Sequence, residues 1–131
     1  MTKKELSQLY YLNRETEMYQ RKLQELEAAA VSCVSVITGM PHCPGVNEKV
    51  GRYQAEIHDL RELIRLNIQK CFIERMRIER YITTIDDSIL RQVISYRYIS
   101  CLDWRQVACC IGGGNSEKNL QMMLKNYLDK H

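Results

Sequence analysis

Tyr96-Arg97-Tyr98-Ile99-Ser100-Cys101-Leu102-Asp103-Trp104-Arg105-Gln106-Val107-Ala108, followed shortly by Gly112-Gly113-Gly114, is the stretch on which the reading of this chain turns. It reads as a helix ending near Ile99, a short corner, and a second helix that opens at Trp104 and halts at the glycines. A third amphipathic segment runs from Ser116 almost to His131. Two short helices around a glycine turn, braced by a preceding helix, form a helix-turn-helix candidate.

The local chemistry sets the boundaries. Asp103 is placed to cap the helix starting at Trp104, and Gln106, three residues on, can reach back to the Asp103 amide. Val107, Ala108 and Ile111 then share one face. Asn115 or Ser116 caps the next helix, in which Leu120, Met123, Leu124, Tyr127 and Leu128 recur at helical spacing. Lys118, Gln121, Met122 and Lys125 fall on the opposite face, away from the core.

These residues carry a resemblance. Asp87 to Leu128 resembles region 4 of bacterial sigma factors, through Leu90, Val93, Ile94, Arg97 and Tyr98, then Asp103-Trp104-x-x-Val107-Ala108, then Gly112-Gly113-Gly114-Asn115-Ser116 with Leu120 and Leu124. The whole chain is similar to a family of small phage and prophage proteins with a long helical N-terminal part, akin to the ArpU and RinA type of late-transcription regulator. The resemblance implies a helix facing promoter DNA or RNA polymerase after the glycine turn. It departs from sigma region 4 in a turn two residues longer and in a following helix poor in Arg, with Met122 and Met123.

On this reading Arg105, Ser116, Lys118, Asn119, Gln121, Met122 and Lys125 are the DNA-facing set. Gln121 is suited to adenine, and the lysines to phosphate or guanine. The bland alternative is a solvated helix face. Arg105 contacts phosphate or is a surface charge, and Trp104 is read as a core anchor on Tyr98 and Leu102.

Composition bounds the rest. The chain has 131 residues, 45% of them apolar, and its two prolines and six glycines cluster, so long uninterrupted helices are expected. No apolar run is long enough to span a membrane, and Met-Thr-Lys-Lys-Glu-Leu lacks a signal-peptide core, so a cytoplasmic location is expected. Net charge is +3; residues 1–85 hold 13 basic and 11 acidic residues and the remainder 6 and 5, so no portion is strongly basic. Strong nonspecific DNA binding needs many Lys and Arg contacts to phosphate, so one chain alone is expected to bind weakly.

Cys33, Cys71, Cys101, Cys109 and Cys110 sit in helical patterns among apolar neighbours and read as buried free thiols. No metal-ligand spacing occurs; His42-Cys43 with His58 is a near miss, and no metal or cofactor is expected. The triple glycine has neither the Lys-Ser or Lys-Thr nor the preceding strand of a nucleotide loop. No nucleophile and base are arranged for catalysis, and an enzyme is not expected.

From the N-terminus, Thr2 and Glu5 have capping-box spacing for a helix running to about Thr38. Leu9, Thr16, Leu23, Ala30 and Ile37 fall at heptad a positions, with Leu12, Tyr19, Leu26 and Cys33 at d. Gly39 to Gly45 is the first break, and Asn47 is a cap for the next helix. There Tyr53, Ile57, Leu60, Ile64, Ile68, Cys71, Arg75, Ile78 and Ile82 trace a drifting stripe to about Thr84, with Asn67 and Glu74 near it either setting register or, the preferred reading, sitting at its edge. After Thr83 to Asp87, a cap at Thr84 or Asp86 starts a helix with Ile89, Leu90, Val93 and Ile94 on its apolar face. Whether the long second helix stops there or only bends is left open by the sequence.

The expected architecture is all-α: a long antiparallel, coiled-coil-like hairpin over 1–85, then a helix-turn-helix bundle over 86–131. The heptad seam is the inside of that hairpin, or a homo-oligomer surface as well. The function expected is phage or prophage transcription regulation through promoter DNA or RNA polymerase. The competing expectation is a phage structural or packaging protein that uses its helices to bind proteins.

Overall fold

The computed structural model describes the backbone of residues 1–37 and 44–131 and the side chains of 1–32 and 48–131. The protein is all-helical: α1 (Lys3–Ile37), α2 (Pro44–Thr83), α3 (Ser88–Ile94), which continues as a π-helical turn (Ser95–Ile99), α4 (Trp104–Ile111) and α5 (Glu117–Lys130). Among the described residues no helix is long and apolar enough to cross a membrane.

α1 opens as its sequence dictates. The Thr2 hydroxyl accepts the Glu5 amide at 3.2 Å, and the Glu5 carboxylate accepts the Thr2 amide at 2.7 Å, so two otherwise orphaned donors are satisfied. α2 begins at Pro44, which places Asn47 inside the helix rather than ahead of it. Proline suits a first turn because its missing N–H has no intrahelical partner there. The break expected at Gly39 to Gly45, the end of α1 at Thr38 and the pair His42-Cys43 lie wholly or partly outside the described residues, as do the side chains of Cys33 and Ile37.

The chain forms two compact units, Met1–Leu12 with Lys70–His131, and Asn13–Gln69. In the second, Thr16, Ala30, Ile57, Leu60, Ile64 and Asn67 are buried, and Arg61 of α2 meets Glu27 of α1 at 2.9 Å. In the first, Arg77 of α2 meets Glu5 of α1 at 3.1 Å. Each unit thus packs a stretch of α1 against a stretch of α2. Both ion pairs are solvent-exposed and contribute at most about 1 kcal/mol each.

The inner face of α2 corrects the drifting stripe. Ile57, Leu60, Ile64, Asn67, Cys71, Glu74, Ile78 and Tyr81 alternate spacings of three and four, whereas Ile68 is 51% exposed and Arg75 also faces solvent. A seam that stays against one neighbour needs a period of 3.5, and that period selects Asn67 and Glu74 over the more apolar Ile68. Asn67 therefore lies in the seam, not at its edge, and its side-chain N–H₂ has no hydrogen-bond partner.

α2 stops rather than bends. Thr84 and Ile85 donate their amides to Tyr81 and Ile82, a tightening of the last turn, and the Thr83 and Thr84 hydroxyls donate to the carbonyls of Arg80 and Tyr81. The next cap is Asp87, not Thr84 or Asp86: its carboxylate accepts the Ile89 amide at 2.9 Å. Ile89, expected on the apolar face, is at the surface, while Leu90, Val93 and Ile94 are buried.

The core of this unit joins Leu6 and Leu9 to Ile78, Ile85, Leu90, Val93, Ile94, Tyr98, Val107, Leu120 and Leu124. The first turns of α1 are thus part of the same packed centre as α3, α4 and α5. Each such aliphatic side chain contributes about 1.5–3 kcal/mol by leaving water.

Candidate nucleic-acid interface

The corner before α4 is built on the π-helical turn. Ser100 donates its amide to the Ser95 carbonyl and Leu102 to that of Tyr96, a wider winding than an α-helix that turns Tyr98 into the core. Cys101 takes a left-handed backbone with φ of 56°, and its thiol lies within reach of the Tyr98 and Ile99 carbonyls. Cys101 therefore lies in the corner expected between Ile99 and Trp104, and not in a helical pattern with the other cysteines. Arg97 donates to the Leu102 carbonyl at 2.7 Å and lies over the Trp104 ring, 5.4 Å from its centroid.

α4 starts with the expected reciprocal cap: the Asp103 carboxylate accepts the Gln106 amide, and the Gln106 side-chain carbonyl accepts the Asp103 amide. Val107 is fully buried, with Ala108, Ile111 and Trp104 beside it at the core. Cys109 and Cys110 are exposed, not buried. At 3.6 residues per turn they follow Val107 onto the far side of a helix that has only one packed face.

Gly112, Gly113 and Gly114 have φ of 65°, 67° and 78°. Three successive positive values reverse the chain without a side-chain penalty. Asn115 closes the turn by donating both its backbone amide and its side-chain amide to the Gly112 carbonyl. Ser116, not Asn115, caps α5, accepting the Asn119 amide at 3.2 Å.

α5 buries Leu120 and Leu124 and leaves Lys118, Gln121, Met122 and Lys125 exposed. These four fall within an arc of about 100°. They also line one groove of about 710 Å³, with Thr2 and Lys3 from the start of α1, Trp104 from α4, and Leu124, Leu128 and Asp129 from α5. A second, shallower cleft brings Arg105, Ser116 and Lys118 together with Cys109, Asn115 and Glu117. Lys118 belongs to both. Asn119 is exposed but lines neither, and the Ser116 hydroxyl is engaged in the cap.

Trp104 is half-buried: it packs on the core, as the sequence suggested, and also forms part of the groove wall. Lys3 was not legible as a site residue, because nothing in the first turn of α1 announces which neighbour it meets. Asp129 was missed as well, although it follows Lys125 by one helical turn and lies on the same arc, a signal that could have placed it.

Lys3, Lys118 and Lys125 have no carboxylate within ion-pair distance among the described residues, whereas Arg61, Arg65, Arg75 and Arg77 each hold a glutamate. The groove therefore presents three unneutralised ammonium groups and one carboxylate over an apolar floor. No protein-family model, curated protein or solved structure matches the chain. Gln121 supplies both a hydrogen-bond donor and an acceptor between Lys118 and Lys125.

Proposed function

We propose that this protein is a transcription regulator of phage or prophage type, acting in the cytoplasm, that sets α5 against promoter DNA. The observation that carries the reading is the exposed arc of Lys118, Gln121, Met122 and Lys125 on a helix preceded by a capped α4 and a glycine turn. In a helix-turn-helix the second helix enters the major groove and the first braces it. Lys118 and Lys125 then neutralise phosphate, Gln121 reads adenine through its amide, and Arg105 adds a flanking phosphate contact. RNA polymerase is the alternative surface for the same helix.

The test is selection of duplexes from a random-sequence pool on the full chain, followed by fluorescence anisotropy against salt. Lys118→Gln and Lys125→Gln each lower the salt slope by about 1 and weaken all sequences alike. Gln121→Ala costs about 1–3 kcal/mol and relaxes one base position. No enrichment, together with no duplex binding at low salt, overturns the proposal.

A second reading, a structural or packaging protein that works through protein contacts, is favoured by one observation. Phe72 and Ile73 of α2 are 64% and 63% exposed and line one shallow cleft with Met76, Arg77 and Arg80. Under that reading the Lys118, Gln121 and Lys125 substitutions leave assembly intact, and Phe72→Ser disrupts it.

A further inference from the structure

We infer that the groove between the start of α1 and α5 docks an acidic amphipathic helix from a partner protein. Its floor is apolar, made by Trp104, Met122, Leu124 and Leu128, and its rim carries Lys3, Lys118 and Lys125. A duplex offers phosphates to the rim but little to bury on Leu128 and Met122, the latter 54% exposed. A helix with one apolar stripe flanked by carboxylates answers both: the stripe removes Met122 and Trp104 from water while the carboxylates meet the ammonium groups.

The spacing narrows the partner. Lys118 and Lys125 are seven residues apart, about 10.5 Å along α5 at the helical rise. Lys3 comes from the other bank, and Asp129 lies toward the C-terminal end of α5. The partner helix therefore carries Glu or Asp two turns apart on the α5 side, one carboxylate on the Lys3 side, and no acidic residue opposite Asp129. Lys118, Gln121 and Lys125 are also the side chains assigned to the duplex, so peptide and DNA compete. That competition rests on the function proposed above; peptide binding itself does not.

The probe is a fluorescently labelled synthetic helix with Leu at i, i+3, i+4 and i+7 and Glu beside them, titrated into the full chain, with a scrambled peptide of identical composition as control. Saturable binding is expected, weaker for the scrambled peptide by about tenfold or more, since anchors in a pocket carry most of the energy. Lys3→Glu and Met122→Gln are each expected to weaken it by about fivefold or more while the helical circular dichroism stays unchanged. Equal binding of the scrambled peptide, or indifference to both substitutions, overturns the inference. Displacement of a selected duplex by the peptide supports both proposals. Duplex binding without peptide binding removes the docking groove and leaves the DNA reading; peptide binding without duplex binding does the reverse.

Discussion

The Arg97 guanidinium sits over the face of Trp104, 5.4 Å from the ring centroid, while its Nη1 donates to the Leu102 carbonyl at 2.7 Å. One side chain thus ties the end of the π-helical turn to both the corner and the first residue of α4. A charged donor to a carbonyl contributes about 1.5–3 kcal/mol, and the ring contact about 0.5–1 kcal/mol at a partly exposed site.

Arg97→Met is therefore expected to cost about 2–3 kcal/mol. Trp104 is the only tryptophan, so its fluorescence and near-ultraviolet circular dichroism report on this corner directly. Arg97→Lys is expected to recover only part of the loss, because an ammonium cannot stack its plane on the indole while holding the same carbonyl. Unchanged urea midpoints for both variants would sink this account.

Gly112 and Gly51 provide a matched pair. Gly112 has φ of 65° and ψ of −151°, a region open essentially to glycine alone. Gly112→Ala is expected to destabilise by about 1–3 kcal/mol even though a Cβ there meets nothing within 4 Å. Gly51 lies inside α2, also with open space around its Cβ position, and Gly51→Ala is expected to stabilise by about 0.5–1 kcal/mol. Thermal denaturation of the two variants should move in opposite directions.

Asn67 is buried with an unpaired amide in the α2 seam. Asn67→Leu removes that uncompensated polar group and is expected to stabilise by about 1–3 kcal/mol. A polar residue at such a position commonly holds register and association state. Sedimentation of the Leu variant is accordingly expected to show additional oligomers, and a less stable variant with unaltered association would contradict both statements.

Two pH responses follow from the Tyr98 phenol and the Glu5 carboxyl. Burial pushes the Tyr98 phenol above its ordinary value of 10.0, and Arg97 beside it pulls back part of that shift. A raised pKa in the fold means that the contribution is complete below about 10 and is lost as pH rises through the folded value. Tyr98→Phe also removes a buried hydroxyl that has no partner, so it is expected to be neutral or stabilising and to blunt alkaline unfolding. The Glu5 carboxyl is held below its ordinary 4.5, first by the Thr2 amide, then by the Thr2 hydroxyl, with Arg77 adding to it. Its contribution is present above that value and lost as pH falls through the folded one. Glu5→Gln is expected to flatten the acid limb of a stability–pH curve.

The helices and most of their ends are written in local residue order. Thr2 with Glu5, Asp103 with Gln106, and the glycine triplet are satisfied by neighbours within a few residues, so their geometry was readable locally. Caps failed at Asn47, because α2 already starts at Pro44, and where several adjacent side chains could serve, as at Thr84, Asp86 and Asp87; burial failed where the period had to be chosen, as at Asn67 against Ile68. That Leu6 and Leu9 share a core with Leu120 and Leu124, and hence that Lys3 stands across a groove from Lys125, emerges from long-range packing alone. Periodicity marks which face of a helix is apolar but not which partner will cover it, because burial depends on apolar area and fit and not on distance along the chain.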